Sequence, residues 1–137
     1  MKRFFIIIIT GLALTSCSDN TQQEKNLLNE LLKVHDKVMG NDELLMKNKM
    51  KLDTLIKLKV KDTVEKQQVK VLDTKLSAAE EAMENWMHKF EPDVNGKSHD
   101  EIMKYYSDQK KQIMTIDSQM NAAITESNKY LSTNKSK

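Results

Sequence analysis

The chain has 137 residues, the size of a single domain, and its 22 basic and 20 acidic residues give a formal net charge of only +2. This near balance argues against a nucleic-acid-binding protein, which would carry a strongly basic surface. With three glycines and one proline, the composition favours an all-helical fold and leaves no glycine-rich phosphate loop or nucleophile elbow.

The first residues have the features of a secretory signal peptide. Two charged residues precede an apolar stretch, residues 4–14, which is too short for a transmembrane helix of roughly 20 residues. Cys17 follows within the sequence LTSC, which resembles the bacterial lipobox, whose cysteine is acylated as the signal peptide is removed. We therefore predict that residues 1–16 are removed, that Cys17 is lipidated, and that residues 17–21 form the acylated tether.

Lipidation of Cys17 predicts a membrane anchor, because each buried methylene group contributes about 0.8 kcal/mol. Ser18 follows the cysteine in place of an acidic residue, which resembles a signal for delivery to the outer membrane. Residues 18–20, SDN, partly match the acidic tag of surface-exported lipoproteins in Bacteroidetes. We expect a bacterial outer-membrane lipoprotein on either the periplasmic or the cell-surface face. Since Cys17 is the only cysteine, packing alone must stabilise the fold.

The first predicted helix covers about residues 22–60 and is kinked or broken near Gly40. Thr21-x-x-Glu24 has the form of a capping box at its start. Four apolar residues are spaced by seven, namely Leu31, Val38, Leu45 and Leu52. This spacing passes straight through Gly40, whereas a loop would normally break the phase. The alternative is two helices that are separated at the GND sequence of residues 40–42.

A second helix is predicted over about residues 62–91. Its apolar residues recur at alternating steps of three and four, which is the heptad pattern of a coiled coil. They are Val69, Leu72, Leu76, Ala79, Met83, Trp86 and Phe90. Asp62 can cap the start of this helix, and Pro92 can end it. By their period, Met83 and Trp86 belong to the core.

A third helix is predicted over about residues 98–131, and residues 132–137 are predicted to be a polar tail. A Ser98-x-x-Glu101 capping box marks the start of the helix. The same alternating steps continue through Ile102, Tyr106, Gln109, Ile113, Ile116, Met120, Ala123, Ser127 and Tyr130. Three long helices with short turns predict an all-α, antiparallel up-down-up three-helix bundle of coiled-coil-like helices over residues 22–131.

One layer of this bundle is rich in soft metal ligands. His35 and Met39 on the first helix are predicted to lie level with Met83 and Met87 on the second. Imidazole and thioether groups bind copper, and a Cu(I) site needs about three of them to converge. A periplasmic copper- or metal-handling protein that uses His35, Met39, Met83 and Met87 is therefore the alternative function.

The competing interpretation of the same layer is a packed core. Met83 and Trp86 share the heptad pattern of their helix, and methionine is a common filler of irregular cores. His35 is then expected to be hydrogen-bonded to a neighbour, Asp36 or Tyr106. Tight Met-x-Met runs and paired histidines are absent from the sequence, which favours this interpretation.

Charge is distributed unevenly along the chain. Residues 47–75 contain nine lysines against four acidic residues, and residues 76–101 contain two lysines against seven acidic residues. In the predicted bundle, the basic segment lies at the end remote from the lipid anchor. Such a rod can dock an anionic envelope polymer or an acidic protein. The alternative is an ordinary solvated surface on which lysines serve solubility.

Catalytic motifs are not found. A di-iron bundle would need Glu-x-x-His pairs, whereas Glu84 and His88 are four residues apart. Cys17 is expected to carry lipid and is then no nucleophile. We therefore expect no enzyme activity, no nucleic-acid partner and no cofactor other than the covalent lipid. The surface heptad positions also allow a homodimer.

Two segments, together with the lipobox, resemble a known group of proteins. VHDKVM at residues 34–39 and MENWMHKF at residues 83–90 are similar to segments of small helical lipoproteins from flavobacteria and their relatives. Some of those proteins carry the label "viral A-type inclusion protein". They tend to have proline where this chain has Gly40, which implies a kink there. The resemblance implies a lipoprotein and a helical fold, and it implies no activity.

The sequence thus favours a non-enzymatic outer-membrane lipoprotein, a helical rod that binds another cell-envelope component. Metal handling is the alternative, and a structural spacer without a dedicated partner is a third class. A fully packed layer around His35 would favour the first function. Convergent sulfur and imidazole groups with an open coordination position would favour the second.

Overall fold

The computed structural model describes residues 16–58 and 62–134, with side chains from residue 19 onward. These residues form four α-helices: α1 (Ser16–Gly40), α2 (Asp42–Leu58), α3 (Thr63–Lys89) and α4 (His99–Thr133). All regular secondary structure in the described ranges is helical, as predicted. Residues 1–15 of the predicted signal peptide, the side chain of Cys17, residues 59–61 at the predicted end of the first helix, and residues 135–137 lie outside the described residues.

The first arm of the bundle, formed by α1 and α2, runs parallel to α4. Glu30 accepts a hydrogen bond from Lys110 at 2.6 Å, and the side chain of Asn48 donates to Asn128 at 2.9 Å. The partners in each pair are 80 positions apart. Since both residue numbers increase together along the bundle, the two arms point the same way.

The helix α3 runs in the opposite direction, between the first arm and α4 in chain order. Tyr130 donates from its hydroxyl group to Glu65, and Lys75 pairs with Glu126. As the residue number rises along α3, the number of its partner on α4 falls. The up-down-up bundle predicted from the heptads is therefore confirmed, with α1 and α2 together forming its first arm.

The first arm is divided at Asn41, so the predicted break near Gly40 is present and the arm is two helices, the alternative to one helix over residues 22–60. The helix α1 ends at Gly40, and α2 begins two residues later. The Asn41 N–H donates to the Val38 carbonyl at 3.0 Å, and the Asn41 carbonyl accepts from the Leu45 N–H at 3.0 Å. Backbone hydrogen bonds therefore continue across the interruption, and the heptad phase is preserved. The four residues predicted at a spacing of seven are fully buried: Leu31, Val38, Leu45 and Leu52.

The helix α1 begins earlier than predicted, so residues 17–21, predicted as the acylated cysteine and tether, lie within its first turns. Thr21 therefore does not cap the helix start. Glu24, the other half of the predicted capping box, instead lies 2.8 Å from Nδ1 of His99 at the start of α4. No glycine or proline occurs between Gly11 and Gly40, so nothing in this stretch stops the helix.

The bounds of α3 and α4 lie within two residues of those predicted. Asp62 accepts a hydrogen bond from the Val64 N–H at 2.6 Å. Ser98 and Glu101 form the predicted capping box, in which the Ser98 N–H donates to the Glu101 carboxylate at 2.8 Å. The hydrogen bonds from the Ser98 backbone and side chain hold the pKa of Glu101 below its ordinary value. At the other end, α4 continues through Thr133, into the predicted polar tail.

The core follows the predicted heptad positions. On α3 the buried residues are Val69, Leu76, Ala79, Met83 and Trp86, with Leu72 and Phe90 partly buried against them. On α4 seven of the nine predicted positions are buried: Ile102, Tyr106, Ile113, Ile116, Met120, Ala123 and Ser127. The helix α4 packs along each of the other three, whereas no Cα atom of α1 lies within 8 Å of one in α3. Larger side chains must therefore fill the space between α1 and α3.

One buried layer of the core is polar. Asn48 on α2 is fully buried, and its side-chain N–H groups donate to the Ser127 hydroxyl and to Asn128 Oδ1, both at 2.9 Å. The Ser127 hydroxyl in turn donates to the Ile124 carbonyl at 2.9 Å. Asn48 Oδ1 has no hydrogen-bond partner among the described residues. A buried asparagine in a coiled-coil seam costs stability and specifies which residues face each other.

We expect Asn48→Leu to leave the stability unchanged or to raise it, because the substitution removes the unpaired buried oxygen and adds apolar contact. The nearly isosteric Asn48→Asp should cost about 3 to 5 kcal/mol at neutral pH, since it leaves an uncompensated buried charge. Burial raises the folded-state pKa of such a carboxyl group, so the loss should shrink as the pH falls and the group protonates. Urea unfolding at two pH values measures both effects, and equal stability of the two variants would contradict the buried layer.

Candidate functional site

The predicted ligand layer is built around an aromatic contact between α1 and α3. The ring of His35 lies against the indole of Trp86, with ring centroids 6.0 Å apart. Nδ1 of His35 lies 3.0 Å from Asp36 Oδ1, so the predicted hydrogen bond to a neighbour is present. The two helices are thus level at this height of the bundle, as the sequence predicts.

Aromatic rings continue from Trp86 across to α4. Trp86 stacks on Phe90 with centroids 5.1 Å apart, and Phe90 stacks on Tyr105 at 6.1 Å. The Tyr105 hydroxyl accepts a hydrogen bond from the Glu91 N–H at 2.8 Å, which closes the end of α3 against α4. The contact between His35 and Trp86 crosses the wider gap between α1 and α3, and the other rings pack between the end of α3 and α4. Trp86 is only 5% exposed.

The four candidate metal ligands differ in their surroundings. Met83 belongs to the hydrophobic core, where it is 3% exposed, whereas Met39 and Met87 are exposed on the surface. His35 is half-buried and is directed to Trp86 and Asp36 by the contacts described above. No group of three or more His, Cys, Asp or Glu side chains that could hold a metal ion occurs in the described part of the chain. Metal handling through His35, Met39, Met83 and Met87 stays a prediction.

We expect Trp86→Ala to lower the free energy of unfolding by about 3 to 5 kcal/mol, because it empties the space between α1 and α3. Trp86→Phe should cost less, since Nε1 of Trp86 has no hydrogen-bond partner among the described residues and only apolar contact is lost. Met87→Ala, one position away on the surface, is the control and should change stability by no more than about 0.5 kcal/mol. Thermal or urea unfolding measures all three. Comparable losses for Trp86→Ala and Met87→Ala would mean that the aromatic layer is not part of the core.

A second candidate site lies at the distal end of the bundle, which we define as the end formed by α2, the first half of α3 and the last turns of α4. A groove of about 800 Å³ lies there between α2 and α4, and we call it the methionine groove. Its lining includes Met46, Lys47, Met50, Lys51, Leu55 and Leu131. Met46 and Met50 are 40% and 69% exposed, so they form an apolar row outside the core.

A second groove of about 670 Å³ lies on the α3 side of the α4 terminus. Val64 and Val71 of α3 line it together with Tyr130 of α4, and both valines are largely exposed. Asn134, which caps α4, contributes to both grooves. The distal end therefore presents apolar surface on two sides of α4.

The distal end also carries lysines without acidic partners. Lys49, Lys57 and Lys75 pair with acidic residues. By contrast, five lysines there have no acidic partner within 4.0 Å among the described residues, namely Lys47, Lys51, Lys66, Lys70 and Lys129. Unpaired cations beside exposed apolar side chains are complementary to a partner that is both acidic and apolar. The charge asymmetry noted in the sequence thus coincides with the two grooves.

Two features of these sites are missing from the sequence interpretation. The contact between His99 and Glu24, which ties the start of α4 to α1, joins residues 75 positions apart and has no local signal. The exposed row of Met46 and Met50 is also absent from the predictions made from the sequence. Their position off the heptad seam, next to Leu45 and beside the lysines, is the signal that indicates an exposed apolar row.

Comparisons with known proteins identify no relative of this chain. The chain matches no protein-family model, no curated protein and no solved structure. Within the described residues, none of the helices has the length and apolar character needed to cross a membrane.

Proposed function

We propose that the protein is a non-enzymatic outer-membrane lipoprotein, anchored through lipid on Cys17, whose helical bundle binds another cell-envelope component with its distal end. The observation that carries this proposal is the coincidence of unpaired lysines and exposed apolar side chains at one end of the bundle. Met50, Val64 and Leu58 are each at least 69% exposed there. Contiguous exposed apolar surface is a feature of interaction sites.

The direction of the bundle supports this arrangement. The helix α1 begins at Ser16, next to the lipidated residue, and the contact between His99 and Glu24 places the start of α4 at the same end. The 35 residues of α4 then extend for about 50 Å towards the distal end. A lipid at Cys17 therefore holds the membrane at one end and leaves the two grooves at the other.

Charge and apolar surface have different roles in this proposal. Isolated surface ion pairs contribute only about 0 to 1 kcal/mol, so lysines alone would give weak binding that is sensitive to salt. Burial of apolar surface contributes about 25 cal/mol for each Å² removed from water, and it does not depend on opposite charge. Together, the lysines select an acidic partner and the methionines and valines hold it.

The anchor is tested by Cys17→Ala in the native host. We expect the wild-type protein to fractionate with the outer membrane and to incorporate labelled palmitate, because Cys17 is the only acceptor in the proposal. The variant should lose the label and leave the membrane fraction. Ser18→Ala is the matched control and should retain the lipid. Palmitate labelling that persists in Cys17→Ala would contradict the lipoprotein assignment.

The distal end is tested by photocrosslinking in intact cells. A photoreactive amino acid is placed at Met50 and Val71 in the two grooves, and at Leu32 as the control, because Leu32 is an exposed apolar residue of α1 far from the distal end. We expect a discrete crosslinked product from the distal positions and none from Leu32. Crosslinks from Leu32 alone would place the interaction surface on α1, and the proposed site would then be wrong.

A further inference from the structure

We infer that the methionine groove binds an acidic amphipathic helix of a protein partner. This inference deepens the proposed function and depends on it for the location of the site. It adds the chemical class of the partner and the secondary structure in which the partner binds. It also distinguishes the α2–α4 groove from the α3 side of the distal end.

The dimensions of the groove fit a helix. Its α2 wall extends from Glu43 to Leu55, which corresponds to a rise of about 18 Å and therefore to about three turns of a bound helix. Leu131 of α4 lies at the opposite side of the groove and is itself buried in the core. Apolar residues of the bound helix at positions i, i+3 or i+4, and i+7 would lie along this length.

The side chains of α2 are arranged in two adjacent rows. Met46, Met50 and Thr54 are spaced by four and form the outer row, whereas Lys47 and Lys51 lead to Leu55 in the row beside it. Methionine side chains are flexible and polarisable, so they adapt to apolar side chains of different shape. The outer row supplies contact area, and the neighbouring row supplies charge at the edge of the same groove.

The lysines of the groove favour a partner with negative charge. Lys47 and Lys51 lie one turn apart and have no acidic partner within 4.0 Å among the described residues. Glu43 is the acidic residue of the lining and lies at the end of the groove nearer to Gly40. A bound helix therefore places its acidic side chains beside Lys47 and Lys51, past Glu43 along α2.

A second copy of the chain fits this groove less well. In a pair whose two-fold axis passes through the middle of the groove, Lys47 and Lys51 of one copy would face those of the other. Like charges opposed across an interface cost several kcal/mol. An anionic polymer without apolar groups would bind the lysines and leave Met46 and Met50 exposed to water. An acidic helix with an apolar face would pair with the lysines and also cover the methionines.

The test uses the full-length lipidated protein in detergent micelles and fluorescent synthetic peptides as probes. The first peptide is an amphipathic helix of about 14 residues with leucines on one face and glutamates on the other. The second has the same leucines with lysines in place of the glutamates, and the third probe is polyglutamate. Fluorescence anisotropy measures the affinity of each, and sedimentation at several concentrations measures self-association.

We expect one-to-one binding of the acidic helix and at least about tenfold weaker binding of the other two probes. Met50→Glu and Lys51→Glu should each lower the affinity for the acidic helix by about tenfold or more. Both residues lie at the surface, so circular dichroism should show an unchanged fold. Met87→Glu on the opposite half of the bundle is the matched control and should leave the affinity unchanged.

The other outcomes separate this inference from the proposed function. Polyglutamate could bind as tightly as the acidic helix, and its binding could be lost in Lys51→Glu but not in Met50→Glu. In that case the distal end recognises charge alone and the helix inference is wrong. Equal binding of both helical peptides, or self-association that Met50→Glu abolishes, would also overturn it. Binding of the acidic helix without crosslinks at either Met50 or Val71 in cells would leave the groove chemistry intact and contradict the proposed function.

Discussion

The register between the first arm and α4 is the constraint on which the rest of the bundle depends. Four polar contacts join residues that are 80 positions apart: Glu30 with Lys110, Lys37 with Asp117, Asn41 with Asn121, and Asn48 with Asn128. The offset is the same on both sides of Asn41, so the interruption of the first arm does not shift one helix against the other. With this register fixed, the heptad residues of α1, α2 and α4 face a common axis, and α3 covers the remaining side.

Along this register the polar contacts change from surface ion pairs to buried amide hydrogen bonds. Their effects on stability and on specificity differ accordingly. In the second half of α1, the contacts are ion pairs at the surface, where Lys110 holds the pKa of Glu30 below its ordinary value. Further along, they are amide contacts that end in the fully buried Asn48. A surface ion pair contributes little to stability and tolerates displacement. A buried amide contact is lost if the helices slide by one residue, so Asn48 acts on specificity more than on stability.

The heptad pattern predicts the buried positions, which recur along each helix. It does not predict features that occur once, such as a helix break or a groove. Burial of Met83, Trp86 and the α4 residues follows from their period alone. The break at Asn41 occupies a single residue and preserves the phase, so apolar spacing carries no trace of it. In the candidate site, the lysine excess is visible in the sequence. The methionine groove is not, because it depends on the space left between α2 and the end of α4.

The exposure of Met46 and Met50 follows from the helical geometry of α2. Successive residues in an α-helix are about 100° apart, so Met46 and Met50 lie about 100° and 140° around α2 from Leu45. The bundle buries the face that contains Leu45 and Leu52, and the two methionines form a separate apolar row on the outer flank of α2. Only three helices pass any level of the bundle, so the flank with Met46 and Met50 lacks a neighbour within the described residues. A helix bound in the methionine groove would cover this flank and act as a fourth helix of the bundle, with its acidic residues opposite the lysines.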